Sequence, residues 1–298
     1  MRPIAEAYKD FPILHKEHNG HRVIYLDSGA TAQIPQSVID RVVEHMTQRN
    51  GNPHRGSHIL AIEASEDYEN ARDRVVEFIN AREREEVIFT RNSTESMNLI
   101  AHSYGLHNVK KGDKIVITVA EHHANLVTWQ YVAEQTGATL EYMYLDEHGH
   151  LKDGEINKID EKTKIVAFAH VSNVLGMEFP VKELTEKAHS VGAIVVLDGA
   201  QSTPHKKIDV QALDCDFFVF SGHKMCASQG IGVLYGKRDL LETMPPFLLG
   251  GDMIEYVKEQ TATFNELPYK FEAGTPNADG AVSLHAAIDY LESFGMDA

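Results

Sequence analysis

Two short apolar runs, each followed directly by polar side chains, constrain the fold of this chain more than any other feature. The run IVVL leads to Asp198, with Gln201 three positions later, and the run FFVF leads to Ser221, His223 and Lys224. Continuous apolar runs of this length are typical of strands buried on both faces of a parallel sheet. Ligands of open α/β sheets bind just beyond the carboxyl ends of the strands. The sequence therefore predicts that a carboxylate and a lysine meet in one crevice.

The pairing of Asp198 with Lys224 indicates one kind of cofactor. A lysine forms a Schiff base with an aldehyde cofactor, and a carboxylate keeps a pyridinium nitrogen protonated. Together the two residues predict a site for pyridoxal 5′-phosphate (PLP). Taken singly, each has a simpler interpretation: a surface lysine after a strand, and an aspartate in an ordinary ion pair.

A third apolar run, VIFT at 87–90, leads into a predicted helix start. Asn92 and Glu95 have the spacing of a capping box. Ser93 and Thr94 place hydroxyls and free backbone N–H groups at the positive end of this helix, where a phosphate binds well. Helix capping alone explains the same residue types, so both interpretations stay open at this point.

Two more predicted strands end near candidate site residues. KIVITV leads to EHHAN, where the imidazole of His122 or His123 is able to stack on a pyridine ring and to carry a proton. Two adjacent histidines at a strand end are equally typical of a surface. The run KIVAFAH, from 164, is a further buried strand that leads to Asn173. RVIYLD, at 22–27, predicts a short strand near the amino end.

Composition excludes several classes of protein. The 298 residues carry a formal net charge of −16, which disfavours nucleic acid and acidic membranes as partners because both require a basic surface. The sequence has no apolar run of membrane-spanning length, no signal peptide pattern and only two cysteines, so we predict a cytoplasmic protein. His54 and His58 have HxxxH spacing without an acidic partner in the pattern, and we predict no metal site.

Five motifs occur in the order found in one enzyme family: EHHAN, SNVLG, DGAQSTPH, FSGHKM and FEAGTPN. Together they resemble the SUF-type cysteine desulfurases, which are class V aminotransferases of PLP fold-type I. The resemblance extends over essentially the whole chain. It implies an α/β fold in which residues 21–298 form a PLP-binding large domain, with a seven-stranded, mainly parallel sheet and helices on both faces. Residues 1–20 would form an N-terminal arm, which is part of the small domain in the family.

The resemblance also implies a role for each site residue. Lys224 binds PLP and moves the Cα proton of the substrate, Asp198 keeps the ring nitrogen protonated, and Gln201 bonds the phenolic oxygen. His122 stacks on the ring, and Asn173 lies beside the cofactor and the substrate carboxylate. The phosphate contacts implied within one chain come from Thr94, Ser221 and His223. Thr275 is implied to reach the phosphate of a second subunit, which predicts a homodimer.

The sequence departs from the family pattern in several places. Gly29 replaces an alanine, Asn92 replaces a glycine, and Ala-Ser-Gln-Gly at 227–230 replaces Gly-Pro-Thr-Gly. The family continues into a small C-terminal domain with the nucleophilic cysteine, in an R-x-G-x-H-C loop, and an arginine that binds the substrate carboxylate. Neither Cys215 nor Cys226 lies in such a loop. We therefore expect a truncated form of the enzyme, with doubtful activity of its own.

The function that the resemblance implies is a PLP-dependent L-cysteine desulfurase, which converts cysteine to alanine and supplies sulfur for iron–sulfur cluster assembly. Its expected partners are L-cysteine, a second copy of the chain and a sulfur-acceptor protein of the SUF system. Two alternatives remain. One is a selenocysteine lyase or another class V PLP enzyme, which turnover of selenocysteine would reveal. The other is a non-catalytic PLP-binding remnant, which would absorb visible light without releasing alanine.

Overall fold

The centre of the molecule is one sheet of seven strands, seen in a computed structural model that describes residues 2–298. Its strands are β3 (Val87–Thr90), β4 (Lys114–Thr118), β5 (Thr139–Met143), β6 (Thr163–Ala169), β7 (Ile194–Asp198), β8 (Phe217–Ser221) and β9 (Gly232–Gly236). Two short hairpins lie outside it, β1 (Glu17–His18) with β2 (His21–Arg22) and β10 (Ile254–Val257) with β11 (Ala262–Phe264).

The strand order across the sheet is β3-β9-β8-β7-β6-β4-β5. Only β9 runs against its neighbours: it pairs antiparallel with both β3 and β8, while the other pairs are parallel. At the end where β9 begins, Gly232 lies opposite Thr90 on one side and Ser221 on the other. The predicted seven-stranded, mainly parallel α/β sheet is therefore confirmed.

Helices cover the sheet on both faces. They are α1 (Gln36–Glu44), α2 (Ile59–Ile79), α3 (Ser93–Ile100), α4 (Leu106–Asn108), α5 (Val127–Thr136), α6 (Val181–Ser190), α7 (Val210–Leu213), α8 (Arg238–Thr243) and α9 (Ala278–Phe294). Short 3₁₀ turns lie at Ile4–Asp10, Pro12–His15, Arg84–Glu86, His123–Asn125, Glu155–Lys158, Gly222–Lys224 and Tyr269–Phe271, and π-helical turns at His45–Arg49 and Ala101–Gly105.

The buried side chains form two cores, one on each face of the sheet. Along β8, Phe218 and Phe220 belong to the core under α2, α6 and α9, whereas Phe217 and Val219 belong to the core under α3, α5 and α8. This alternation explains why the strands read as continuous apolar runs, since both faces of each central strand exclude water.

The amino end of the chain packs against the last helix. The guanidinium of Arg2 lies 4.7 Å from the centre of the Phe294 ring, and its backbone N–H donates to Ser293 at 2.9 Å. The hydroxyl of Tyr290 donates to Asp10 at 2.9 Å. The amino end therefore packs on α9, while the division into an arm at residues 1–20 and a large domain stays a prediction.

The predicted strand at 22–27 is wrong. Only His21 and Arg22 are in a strand, and they pair with β1 in a hairpin rather than with the sheet. The rest of the segment is irregular, and Ile24 and Leu26 are 81% and 92% exposed. The apolar alternation of RVIYLD predicted a strand, but within residues 2–298 no neighbouring strand pairs with these residues, and a strand without a partner does not form.

Within the described part of the chain, no helix combines the length and the apolar composition that crossing a bilayer requires.

Candidate active site

A cavity of about 310 Å³ lies at the carboxyl ends of β6, β7 and β8 and at the start of α3. This is the edge of the sheet where the sequence predicts a ligand, because the parallel strands all end there. Eight of the nine predicted site residues line the cavity: Thr94, His122, Asn173, Asp198, Gln201, Ser221, His223 and Lys224.

Asp198 is the last residue of β7 and is only 6% exposed. The backbone N–H of Ala200 donates to its Oδ1 at 2.9 Å. Burial raises the pKa of Asp198, while the Ala200 N–H and the nearby Lys224 and His122 act in the opposite direction. A buried carboxylate with a cation nearby and one fixed N–H donor is suited to hold a positive charge in the cavity.

Lys224 ends the 3₁₀ turn that follows β8. Burial lowers the pKa of its ammonium group, and the Asp198 carboxylate opposes that change. A lysine with a lowered pKa is more often neutral, and a neutral amine is the form that attacks an aldehyde. The sequence-predicted convergence of Asp198 and Lys224 in one crevice is therefore present in the structure.

The start of α3 and the end of β8 meet at one end of the cavity. The hydroxyl of Ser221 accepts the backbone N–H of Ser93 at 2.9 Å, and the two serine hydroxyls are in direct contact. Asn92 caps the helix by accepting the Glu95 N–H at 3.0 Å, as predicted. Its φ of −177° is extended backbone that any residue adopts, so asparagine in place of glycine introduces no strain.

Gly232 keeps this end of the cavity compact. A Cβ at this position would lie 2.6 Å from the Cα of Asn92, which is closer than real Cβ contacts allow. Strand β9 therefore approaches the start of α3 with backbone alone, because only glycine permits such a close approach.

The loop 28–32, from the amino-terminal part of the chain, lines one side of the cavity. The Ala32 N–H and the Thr31 hydroxyl both donate to the backbone oxygen of His223, at 2.8 and 3.1 Å. The side-chain amide of Gln201 donates to the backbone oxygen of Gly29 at 2.8 Å. The sequence pattern did not predict that Gln201 and His223 tie this loop to the site, since each contact joins residues more than 150 positions apart.

His122 lies on the turn after β4. Its Nδ1 accepts the backbone N–H of Ala124 at 3.1 Å, which leaves Nε2 to carry the proton of the neutral ring. Partial burial lowers the pKa of His122, with Lys224 and His123 acting in the same direction and Asp198 against them. Asn173 lies at the exposed rim of the cavity, on the loop after β6.

Thr275 is the one predicted site residue outside this cavity. It is exposed and lines a separate cleft of about 500 Å³ between α3 and the start of α9. The structure of a single chain thus does not bring Thr275 to the other eight residues, and its predicted role in a second subunit stays a prediction.

The two histidines of the HxxxH pattern make separate contacts. His54 bonds Glu69 at 3.1 Å, whereas Nδ1 of His58 accepts the Ala61 N–H at 3.2 Å and caps α2. In residues 2–298 no group of three or more potential metal ligands comes together.

The donor set of the cavity fits PLP. Lys224 supplies an amine for the aldehyde, Asp198 a buried carboxylate for the ring nitrogen, and the start of α3 with Ser221 supplies hydroxyl and N–H groups for a phosphate. The positively polarised end of α3 would favour a phosphate at this place.

Comparison with known proteins agrees with this fit. The family model described as aminotransferase class V matches residues 24–298. This chain belongs to that family. It is 54% identical over 293 residues to a probable cysteine desulfurase of Halalkalibacterium halodurans, covering 98% of this chain and 72% of the relative. It is 49% identical to a cysteine desulfurase of Haloferax volcanii, covering 97% of this chain and 71% of that protein.

Solved structures match as well. A cysteine desulfurase of Escherichia coli superposes with a TM-score of 0.90 and 39% identity, covering 100% of this chain and 73% of that one. The apo structure of a cysteine desulfurase from Thermococcus onnurineus gives a TM-score of 0.93 and 41% identity, covering 100% and 72%. The predicted family, fold and PLP cofactor are confirmed, while the individual roles of the site residues stay predictions.

Proposed function

We propose that this class V protein is a PLP-dependent L-cysteine desulfurase, with residues 21–298 as its cofactor-binding domain. The observation that carries the proposal is the placement of Lys224 and Asp198 in one cavity, together with a phosphate-binding helix start. Relatives named cysteine desulfurases, at about half identity over nearly the whole chain, support the choice of reaction within the family.

PLP, when bound, supplies an electron-accepting ring that weakens bonds at the Cα of an amino acid. The residues of the chain prepare the site for it. Asp198 holds a negative charge where the ring nitrogen would lie, which favours a protonated nitrogen. Thr94, Ser221 and His223 would hold the phosphate, and His122 would cover the ring with its Nε2–H available as a donor.

Lys224 has two tasks in this proposal. Its Nζ would hold the cofactor, and with L-cysteine bound the same amine would accept the proton from the substrate Cα. Both tasks require a neutral amine, and burial of Lys224 lowers its pKa in the required direction. The negative charge of Asp198 raises the pKa of Lys224 and so limits the effect of burial. The amine is therefore still able to take up a proton.

The attack on the substrate sulfur requires a thiolate, and the two cysteines of residues 1–298 are unsuited to it. Burial raises the pKa of Cys226 to about 11. Cys215 is fully buried two positions before β8, and burial raises its pKa even more than that of Cys226. Because the thiolate is the nucleophilic form, we assign the sulfur-attacking role to neither.

We further propose a homodimer, in which Thr275 binds the phosphate at the site of a second subunit. Its exposure and its distance from the cavity of its own chain support this assignment. The resemblance of the five motifs to SUF-type enzymes supports a sulfur-acceptor protein of that system as a further partner. It also supports a cytoplasmic location, as does the presence of two free cysteines.

The test of the proposed function is chemical labelling. The protein is incubated with PLP, its visible absorbance is recorded, and borohydride is added to fix the cofactor covalently before peptide mass spectrometry. We expect the label on Lys224 and its loss in Lys224→Ala. The matched control is Lys182→Ala, which removes an 88% exposed lysine on α6 and should leave the labelling unchanged.

A reducible label that persists in Lys224→Ala would contradict the assignment. The substrate is tested by following alanine and sulfide release from L-cysteine against selenide release from selenocysteine. Faster turnover of selenocysteine would favour the lyase. Because neither Cys215 nor Cys226 is assigned the attack on sulfur, we expect residues 1–298 to bind PLP with negligible release of alanine or sulfide, and robust release would overturn that assignment.

A further inference from the structure

Glu121 is a buried carboxyl group directly before His122, and no motif interpretation gives it a role. It follows the end of β4 and is 8% exposed. The hydroxyl of Thr118 lies 2.5 Å from its Oε1, and the side-chain amide of Asn125 donates to its Oε2 at 2.7 Å. Asn125 in turn accepts the indole N–H of the fully buried Trp129 at 2.8 Å.

These contacts hold the turn that carries His122 in place. A chain of hydrogen bonds runs from Thr118 on β4 through Glu121 and Asn125 to Trp129 on α5. Glu121 and Asn125 thus fix the chain just before and at the end of the His123–Asn125 turn. The backbone of His122 therefore has little freedom, and its ring is oriented by the Ala124 N–H on the same turn. Glu121 acts on the site through His122 rather than by touching a ligand.

The partners of Glu121 are all neutral. Within residues 2–298 no lysine, arginine or histidine forms an ion pair with it, and the charged group that acts on it is Asp198, which has the same sign. An ionised carboxylate buried without a cation is strongly disfavoured, so such a group takes up a proton instead. Burial, with a smaller contribution from Asp198, raises the pKa of Glu121 to about 8, against the hydrogen bonds from Thr118, Asn125 and the backbone of Ala169.

Asp198 has the opposite surroundings. It accepts the Ala200 N–H, and Lys224 and His122 both favour its charged form. Two like charges in one buried region do not both ionise readily, and the proton goes to the group without a cation nearby. Of the two carboxyl groups, that group is Glu121.

We propose that Glu121 is a positioning residue that is protonated at neutral pH, so that it anchors the His122 turn while Asp198 remains the ionised carboxylate of the cavity. The assignment of Asp198 rests on the proposed function, whereas the protonation of Glu121 does not. Above neutral pH, ionisation of Glu121 places a second negative charge near Asp198 and disturbs the site.

The variant that tests this is Glu121→Gln. A glutamine has the shape of a protonated glutamate: its amide N–H₂ donates to the Thr118 hydroxyl and its oxygen accepts from Asn125. The variant therefore keeps the hydrogen bonds and removes the titration. Glu147→Gln is the matched control, because Glu147 is 86% exposed on a loop.

The first measurement uses the protein without cofactor. Carboxyl groups are labelled with ¹³C-glutamate, and the NMR signal that Glu121→Gln removes is followed against pH. We expect a midpoint near pH 8, and the same midpoint in Glu147→Gln. A midpoint near the ordinary glutamate value of about 4.3 would overturn the proposal, whatever the cofactor does.

The second measurement uses the PLP-loaded protein and follows the visible spectrum against pH. We expect a change near pH 8 in the wild-type protein and in Glu147→Gln, and its absence in Glu121→Gln. A change of the same midpoint and size in Glu121→Gln would overturn the coupling to the site. Failure of PLP to bind, with the NMR midpoint near pH 8, would refute the proposed function and leave the protonation of Glu121 intact.

Discussion

A buried ion pair between α2 and the segment before Thr275 allows a prediction of stability with a stated size. Arg72 is fully buried, and its guanidinium makes two parallel contacts with Glu272, at 2.7 and 2.8 Å. Glu272 also accepts the backbone N–H of Phe89 on the edge strand β3, at 2.7 Å, and the hydroxyl of Tyr68, at 2.8 Å. The pair thus joins a helix, the sheet and the loop that carries Thr275.

Replacing Arg72 with methionine leaves the Glu272 carboxylate buried without its cation. Removing one member of such a pair costs about 3–5 kcal/mol, because the remaining charge is not solvated. Additional replacement of Glu272 with glutamine removes that charge, keeps an oxygen that accepts from the Phe89 N–H, and lets the amide N–H₂ donate to the Tyr68 hydroxyl. We therefore expect Arg72→Met to lower the free energy of unfolding by about 3–5 kcal/mol and the double variant to lower it less.

Urea unfolding followed by circular dichroism measures these changes, with the two single variants and the double variant as a cycle. The exposed pair Lys182 and Glu186 on α6, 3.8 Å apart, is the control, and Lys182→Met should change stability by about 0.5 kcal/mol or less. A loss below about 1 kcal/mol for Arg72→Met would refute the reasoning. So would a double variant that loses as much as both single variants together.

Two other predictions concern the cavity. Asp198→Asn should lower the pKa of Lys224 further, because Asp198 is the group that opposes the effect of burial; ¹⁵N NMR of the lysine amine in the cofactor-free protein measures this, and an unchanged or higher value would contradict it. Cys215 and Cys226 should react slowly with iodoacetamide in the folded protein and carry no persulfide after incubation with PLP and L-cysteine, because burial raises the pKa of both thiols. Mass spectrometry detects both products, urea-unfolded protein is the control, and a persulfide on either residue would make that cysteine the nucleophile.

The central strands were predictable because both of their faces are buried. Residues such as Phe217 and Phe218 point to different cores but are equally apolar, so the sequence shows one uninterrupted run. The segment at 22–27 has a similar apolar pattern without a neighbouring strand, and there the pattern failed. A local apolar pattern indicates which side chains are buried. It does not indicate whether a neighbouring strand is present to form hydrogen bonds.

The candidate site was predictable where the chemistry follows a strand directly, as for Asp198 and Ser221. Glu121 was missed because a glutamate beside two histidines reads as a surface residue, and its burial depends on Thr118 and Asn125 folding around it. The contact between Gln201 and Gly29 was missed for a related reason. The two residues are 172 positions apart, and a short motif gives no information about contacts between such distant positions.

The reversed direction of β9 has a consequence for the order of folding. Within residues 2–298, β3 pairs with β9 and no other strand, and the contact between Ser93 and Ser221 spans 128 positions. During synthesis, β3 is complete long before its neighbour exists, and contacts of such separation form slowly. We expect the end of the cavity at which Ser93 meets Ser221 to form only once β9 pairs with both β3 and β8. We therefore expect the cofactor to bind the completed sheet and not its earlier folding intermediates. Its binding would stabilise the fold at a late stage.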